Sequence, residues 1–150
     1  MTRQGQKDRW VAVSGGFDPV HVGHIRLFKR ARNLGDKLLI ILNNDNWLRS
    51  KKGYVFMPEK ERKELLLALA CVDRVELTSH RENDPDRSVV RELKKLKPAL
   101  FANGGDRKRD NTPEGEICRK LRIETVFGVG GGKVQSSSWL VQKAKGRLKV

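Results

Sequence analysis

Residues 10–43 read WVAVSGGFDPVHVGHIRLFKRARNLGDKLLIILN. Three patterns follow one another in this stretch. Trp10–Val13 is a short apolar run that leads into Gly15-Gly16, the mark of a buried strand ending in a tight turn. Ile25, Phe28, Ala31 and Leu34 then recur at helical spacing, with Gly35 as a candidate C-cap. Lys37–Asn43 is a second apolar run, continuous rather than alternating, as expected of a strand covered on both faces. Strand, helix and strand in so short a span predict parallel pairing through a helical crossover.

The alternation continues to the end of the chain. MPEKERKELLLALA begins at Met57, and its Pro58 and early acids predict a helix start. Val72–Leu77 reads as a third strand. Pro85–Leu96 carries Val89, Val90, Leu93 and Leu96, a helical stripe. Ala99–Asn103 is the fourth strand. Thr112 and Pro113 open another helix as N-cap and N1. Ile123–Gly128 is the fifth strand, and Ser136–Ser138 precede a last helix. The predicted fold is α/β and Rossmann-like, with about five parallel strands and helices on both faces. A single domain over residues 1–150 is expected, with residues 1–8 and 146–150 as flexible ends. Ligands of such sheets sit beyond the carboxyl ends of the strands. That directs attention to the loops Ser14–Gly23, Asn43–Phe56, Asn103–Asn111 and Gly128–Ser138.

Charge narrows the class of partner. Among 150 residues, 32 Lys and Arg face 18 acids, a formal net charge of +14. Such a balance suits polyanions: nucleotides, phosphorylated metabolites or nucleic acid. A basic nucleic-acid-binding protein is the alternative from another class. Against it, the basic residues are scattered along the chain, and an aromatic content of 6% is poor for stacking on bases. Two cysteines without a CxxC point to a reducing compartment. No apolar run has the length of a membrane span, and MTRQGQKDRW lacks the apolar core of a secretory signal. The expectation is a cytoplasmic protein with no membrane partner.

The chain has three histidines, and two of them, His21 and His24, stand three apart where the first helix begins. That spacing puts both rings on one helix face. A helix N-terminus offers free N–H groups and the positive end of the dipole, which suit phosphate. Gly23 between them carries no side chain that would hold a phosphate away. A simple helix cap accounts for one histidine but not for Gly-Gly, Phe-Asp-Pro and His-x-Gly-His within ten residues. Zinc is disfavoured because no third ligand stands at a suitable spacing. The phosphate loops GxGxxG and GxxxxGK[ST] are absent.

GGFDPVHVGH, together with the sheet strand before it, resembles the nucleotidylyltransferase superfamily with the HxGH signature. Arg30–Asp45 (RARNLGDKLLIILNND) and Pro58–Val75 (PEKERKELLLALACVDRV) resemble the corresponding family segments. The likeness is to cytidylyltransferases of the glycerol-3-phosphate type and to heptose-1-phosphate adenylyltransferases. It implies transfer of NMP from an NTP to a phosphorylated sugar, polyol or amino alcohol, with release of pyrophosphate. Cytidylyl transfer is the first expectation, and adenylyl transfer to a sugar phosphate is the alternative. The resemblance also brings the expectation of Mg²⁺ entering with the NTP, and of a homodimer.

Carried onto matching positions, the resemblance implies that His21 and His24 stabilise charge at the α-phosphorus. Gly15, Gly16, Phe17 and Gly23 would lie against the nucleotide, and Asp18 would orient the loop. Lys51, next to Lys52 in a basic loop expected to close as a lid, would contact phosphates, and Arg62 matches a family arginine. Asn103–Asp110 (NGGDRKRD) resembles the adenylyltransferase Gly-Gly-Asp loop, so Gly104 and Gly105 would approach the nucleotide and Asp106 could help hold Mg²⁺. Ser136, Ser137 and Ser138 resemble the family's terminal Ser/Thr motif for the distal phosphates. The cytidylyltransferase arginine five residues before that motif is replaced by Gly131, with Lys133 as a substitute cation.

Overall fold

Val11, Ala12 and Val13 are all fully buried, so the first apolar run is a strand covered from both sides. In the computed structural model, which describes residues 7–105 and 112–148, this strand, β1 (Trp10–Gly15), is the centre of the sheet. It pairs in parallel with β2 (Lys37–Leu42) along its whole length, from Trp10 opposite Lys37 to Gly15 opposite Leu42. β3 (Arg74–Leu77) lies outside β2. On the other side β1 meets β4 (Leu100–Gly104), which in turn pairs with β5 (Glu124–Val129). The order is β3-β2-β1-β4-β5, and every pairing is parallel, as the sequence predicts.

Strand direction and period sort the core into two layers. Val11, Val13, Leu38 and Ile40 face one side, where Phe28 and Ala31 of α1 (Val22–Arg32) and Leu66 of α3 (Glu59–Leu67) cover them. Ala12, Leu39, Ile41 and Phe101 face the other, against Leu93 of α4 (Val90–Leu96) and Cys118 of α5 (Pro113–Leu121). Successive side chains of a strand point to opposite faces, so a strand with helices on both faces must be apolar throughout. α6 (Ser137–Leu148) closes the chain. Among the described residues, no helix is long and apolar enough to cross a membrane.

Several local expectations are corrected. The segment expected as a loop between Asn43 and Phe56 holds an eight-residue helix, α2 (Asp45–Lys52). Its signals stand in the sequence: Asn44 accepts the Trp47 N–H as N-cap, Asp45 is in the first turn, basic residues fill the last turn, and Gly53 ends it at φ +81°. The helix expected over Pro85–Leu96 forms only from Val90. Asp84 accepts the N–H groups of Arg81 and Asp86, and Asp86 accepts the Ser88 N–H and hydroxyl. Those local side-chain bonds replace the first helical turns.

Gly35 is not a cap, since α1 ends at Asn33 in the right-handed region. A Cβ at Gly35 would lie 2.6 Å from the Arg9 carbonyl oxygen, so close backbone approach is what excludes a side chain there. β4 and β5 each start one residue later than expected. Helix α6 continues to Leu148, into the end expected to be flexible, and Asp8 at the other end pairs with Lys37 at 3.7 Å. Residues 1–6 and 149–150 of those ends lie outside the described residues.

Candidate active site

β1 and β4 share only two register pairs, Val11 with Leu100 and Ala12 with Phe101. Beyond them the two strands part, because their chains turn toward helices on opposite faces of the sheet. The gap is the switch point of the strand order, and it opens into a cleft of about 560 Å³. Gly15, Gly16 and Phe17 enter it from the end of β1, and Gly104 and Gly105 from the end of β4. Asp106 lies outside the described residues.

His21 and His24 line this cleft and do cap α1, in a reciprocal way. The Gly23 N–H donates to His21 Nδ1 at 3.0 Å, and the His21 N–H donates to His24 Nδ1 at 3.2 Å. Both Nδ1 atoms are therefore acceptors, and each neutral ring must carry its proton on Nε2. The rings stack with centroids 3.7 Å apart. Burial, the nearby His21 and the Lys52 cation push His24 down to about 3, and burial with the charges of Lys133 and Lys52 lowers His21 as well. At neutral pH the pair is two uncharged N–H donors whose tautomer the backbone has set. Gly23 serves this arrangement directly: a Cβ there would lie 2.9 Å from His21 Cε1. The glycine clears room for the imidazole, and it lines the cleft.

The loop before α1 is locked from beneath. Phe17 has φ +49°, a left-handed conformation that a bulky residue adopts only when its surroundings hold it there. Its buried ring meets the His24 ring edge-on at 4.8 Å and Phe28 at 5.0 Å. Asp18 is buried and accepts the N–H groups of Phe56 and Met57 at 2.7 and 2.6 Å, so it does orient the loop, by tying it to the segment before α3. Arg62 has a side chain with no solvent exposure. It donates to the carbonyls of Met57, Gly16 and Asn43 and pairs with Asp45 at 2.7 Å. Among the described residues it is absent from the cleft wall, and its bonds make it an internal clip that ties the ends of β1 and β2 to α3.

Lys51 and Lys52 come from the last turn of α2, not from an irregular lid. Both reach the cleft, but Lys51 is exposed while Lys52 is half-buried and is the one whose charge acts on both histidines. Burial lowers the Lys52 ammonium, and Asp18 partly restores it. At the opposite rim Lys133 lies 4.7 Å from the Trp139 ring centroid. Ser136 and Ser137 line the cleft at the start of α6, and Ser138 does not. The Ser136 hydroxyl accepts the Trp139 N–H, while the Ser137 hydroxyl donates to Pro19 O at 2.7 Å and joins α6 to the loop before α1.

Among the described residues no three His, Cys, Asp or Glu side chains gather as a metal cage. The described wall offers four cations, Lys51, Lys52, Arg87 and Lys133, against one carboxylate, Glu114. That donor set fits a bound polyanion. Asn43, Trp47, Arg87 and Glu114 also line the cleft, and no sequence pattern singles them out. Arg87 was hidden inside an expected helix, and Trp47 inside an expected loop.

A cytidylyltransferase-like family profile matches residues 12–131. The bifunctional protein HldE of Pelobacter propionicus is 37% identical over 131 residues, 82% of this chain and 25% of that protein. The FAD synthase of Pyrococcus abyssi is 36% identical over 121 residues, 80% of this chain and 73% of that protein. The chain thus spans about a quarter of the HldE relative and most of the FAD synthase. Among solved structures, a lipopolysaccharide core biosynthesis protein from Thermoplasma volcanium superposes with a TM-score of 0.64 at 28% identity, over 81% of this chain and 96% of that one. A pantothenate synthetase from Thermus thermophilus, at 19% identity and a TM-score of 0.54, shares the fold. With a parallel sheet parted at its switch point and a histidine pair at the mouth, the chain belongs to the cytidylyltransferase-like family of nucleotidyltransferases.

Proposed function

We propose that this protein transfers a nucleoside monophosphate from an NTP to the phosphate of a small acceptor and releases pyrophosphate. The observation that carries the reading is the reciprocal histidine cap. It presents two neutral Nε2–H donors at the point where β1 and β4 part, with Lys52 and Lys133 nearby. An acceptor phosphate oxygen forms a bond to the α-phosphorus while the bond to the bridging oxygen of pyrophosphate breaks. Charge builds on the equatorial and leaving oxygens. Fixed N–H donors and ammonium groups aimed at that charge lower the barrier without reorganising during the step. The imidazoles need not accept a proton, which agrees with their depressed basicity.

The start of α6 and Ser136 hold the distal phosphates, since a helix N-terminus leaves N–H groups unpaired. Mg²⁺ riding on the triphosphate would neutralise its oxygens, and Asp106 is the loop acid expected to reach it. On the base, likeness to an FAD synthase favours ATP over the cytidylyl transfer expected first, because FAD contains an adenylate. Gly131, in place of the cytidylyltransferase arginine, agrees with that preference. The test is a pyrophosphate-release screen of the common NTPs against sugar, polyol and amino-alcohol phosphates. ATP-dependent release with one acceptor class is expected. No NTP binding and no release with any acceptor would remove the proposal.

A further inference from the structure

The third histidine, His80, does not line the cleft. It follows β3, is only 5% exposed, and has both ring nitrogens engaged. Its Nε2 lies 2.9 Å from the Ser88 carbonyl oxygen, and its Nδ1 lies 2.8 Å from the Thr78 hydroxyl. A carbonyl oxygen can only accept, so Nε2 carries the proton. Nδ1 of the neutral ring then accepts the Thr78 O–H. With its proton turned to His80, the buried Thr78 oxygen keeps a lone pair for the Asn44 N–H, which donates to it at 3.0 Å. One carbonyl thus fixes a tautomer, the tautomer fixes a hydroxyl, and the hydroxyl receives the N-cap residue of α2.

The same turn of chain holds α2 by further bonds. The Asn44 amide donates to Thr78 O at 3.1 Å and to His80 O at 2.8 Å, and the Asn46 amide donates to His80 O at 3.0 Å. The Asn44 Oδ1 accepts the Trp47 N–H as the helix cap. From the α3 side Arg62 grips Asp45 at 2.7 Å. The first turn of α2 is therefore clamped between α3 and the chain that leaves β3. A helix of eight residues is too short to be stable alone, so what holds it also sets its pose. Further along, a Cβ on Gly16 would lie 3.0 Å from Leu48 Cδ2, so α2 packs closely on the loop before the histidines. Lys52 stands one turn beyond Leu48.

We infer that Thr78 and His80 are positioning residues: they fix the start of α2 so that Lys52, at its end, stands beside His21 and His24 before any nucleotide arrives. This rests on the proposed nucleotidyl transfer. Neither residue touches substrate; both act through α2. A cation held in place beforehand is worth more to a transition state than one that must be gathered during the step. The lowered basicity of His21 and His24, to which the Lys52 charge contributes, agrees with an ammonium already in place.

A double-mutant cycle on the full chain tests it. Thr78→Val keeps the shape and removes the hydroxyl, which leaves the Asn44 N–H without its acceptor. It should lower kcat for pyrophosphate release roughly tenfold, the scale of a modest misplacement, and Thr78→Ser should restore it. In a Lys52→Ala background Thr78→Val should cost less than about twofold more, because the group it positions is gone. Should Thr78→Val not fold, His80→Asn takes its place in the cycle with the same expectation, since its amide oxygen can still accept the Thr78 hydroxyl while the Ser88 bond is lost. NMR titration of the His21 ring needs no turnover. It should move upward in Thr78→Val, as in Lys52→Ala, because the same positive charge recedes. The inference is overturned if the losses in the double variant are additive, if Thr78→Ser is no better than Thr78→Val, or if the His21 titration does not move in Thr78→Val. Failure of the nucleotidyltransferase reading is distinct: the wild-type protein would then release no pyrophosphate while the His21 titration still moved.

Discussion

The His24 ring has two separable jobs, and two substitutions can pull them apart. Its Nδ1 accepts the His21 N–H at 3.2 Å as half of the helix cap, and its Nε2–H is left to the cleft. In His24→Asn the amide oxygen takes the place of Nδ1 and nothing replaces Nε2–H. In His24→Gln the longer amide can put an N–H near the old Nε2 position, but the Nδ1 acceptor is gone. Losing a cap costs about 1 kcal/mol. In a domain of this size that lowers Tm by roughly 2–4 °C. Losing one preorganised donor to a transition state costs roughly 10²–10³ in kcat. His24→Asn should therefore keep its Tm within a degree or two and lose about a hundredfold in turnover, while His24→Gln should melt a few degrees lower and retain more activity. Thermal unfolding and pyrophosphate release, measured on the same preparations, read both effects. A fully active His24→Asn protein would refute the donor role. A His24→Asn protein that is destabilised as much as His24→Gln would refute the tautomer drawn from the cap.

Lys52→Ala should impair kcat/KM roughly tenfold more than Lys51→Ala, because the half-buried Lys52 is the lysine coupled to the histidines; the reverse order would restore the register expected from sequence. Arg62→Leu should destabilise the fold by about 3–5 kcal/mol in urea titrations, since it strands Asp45 and three carbonyls around a fully buried position; an unaffected urea midpoint would show that the clip is dispensable. Stability should also fall in acid. The His24 ring is held near 3 in the folded protein against an ordinary value of 6.5, so between those values the unfolded chain binds the extra proton. The contribution is complete above pH 6.5 and is lost as pH falls, at about 1.4 kcal/mol per unit. Urea unfolding at pH 7.5 and 5.5 should differ accordingly, and His24→Asn should flatten that slope.

How much of this was legible beforehand follows from the range of each interaction. The apolar runs at Trp10–Val13 and Lys37–Asn43 identify strands covered on both faces, because burial on two sides imposes a pattern that no neighbour in space can alter. The His-x-Gly-His spacing likewise brings its two rings to one helix end through local geometry alone. The Asn44 cap and Gly53 stop of α2 are local signals of the same kind. Other features had no local signature. Whether Pro85–Val89 joins a helix depended on Asp84 and Asp86 turning to their own backbone, a competition that apolar spacing does not register. Arg62 is matched by resemblance, but its partners have no local signature: the carbonyls of Gly16 and Asn43 and the Asp45 carboxylate reach it only once the ends of β1 and β2 and the start of α2 converge. That Lys52 rather than Lys51 lies half-buried beside the histidines turned on a helical rotation set by the packing of Leu48, which is fully buried. The cleft itself exists because β1 and β4, far apart in the chain, stay paired for two residues and then part, and that placement decides which of the chain's many polar residues face one another.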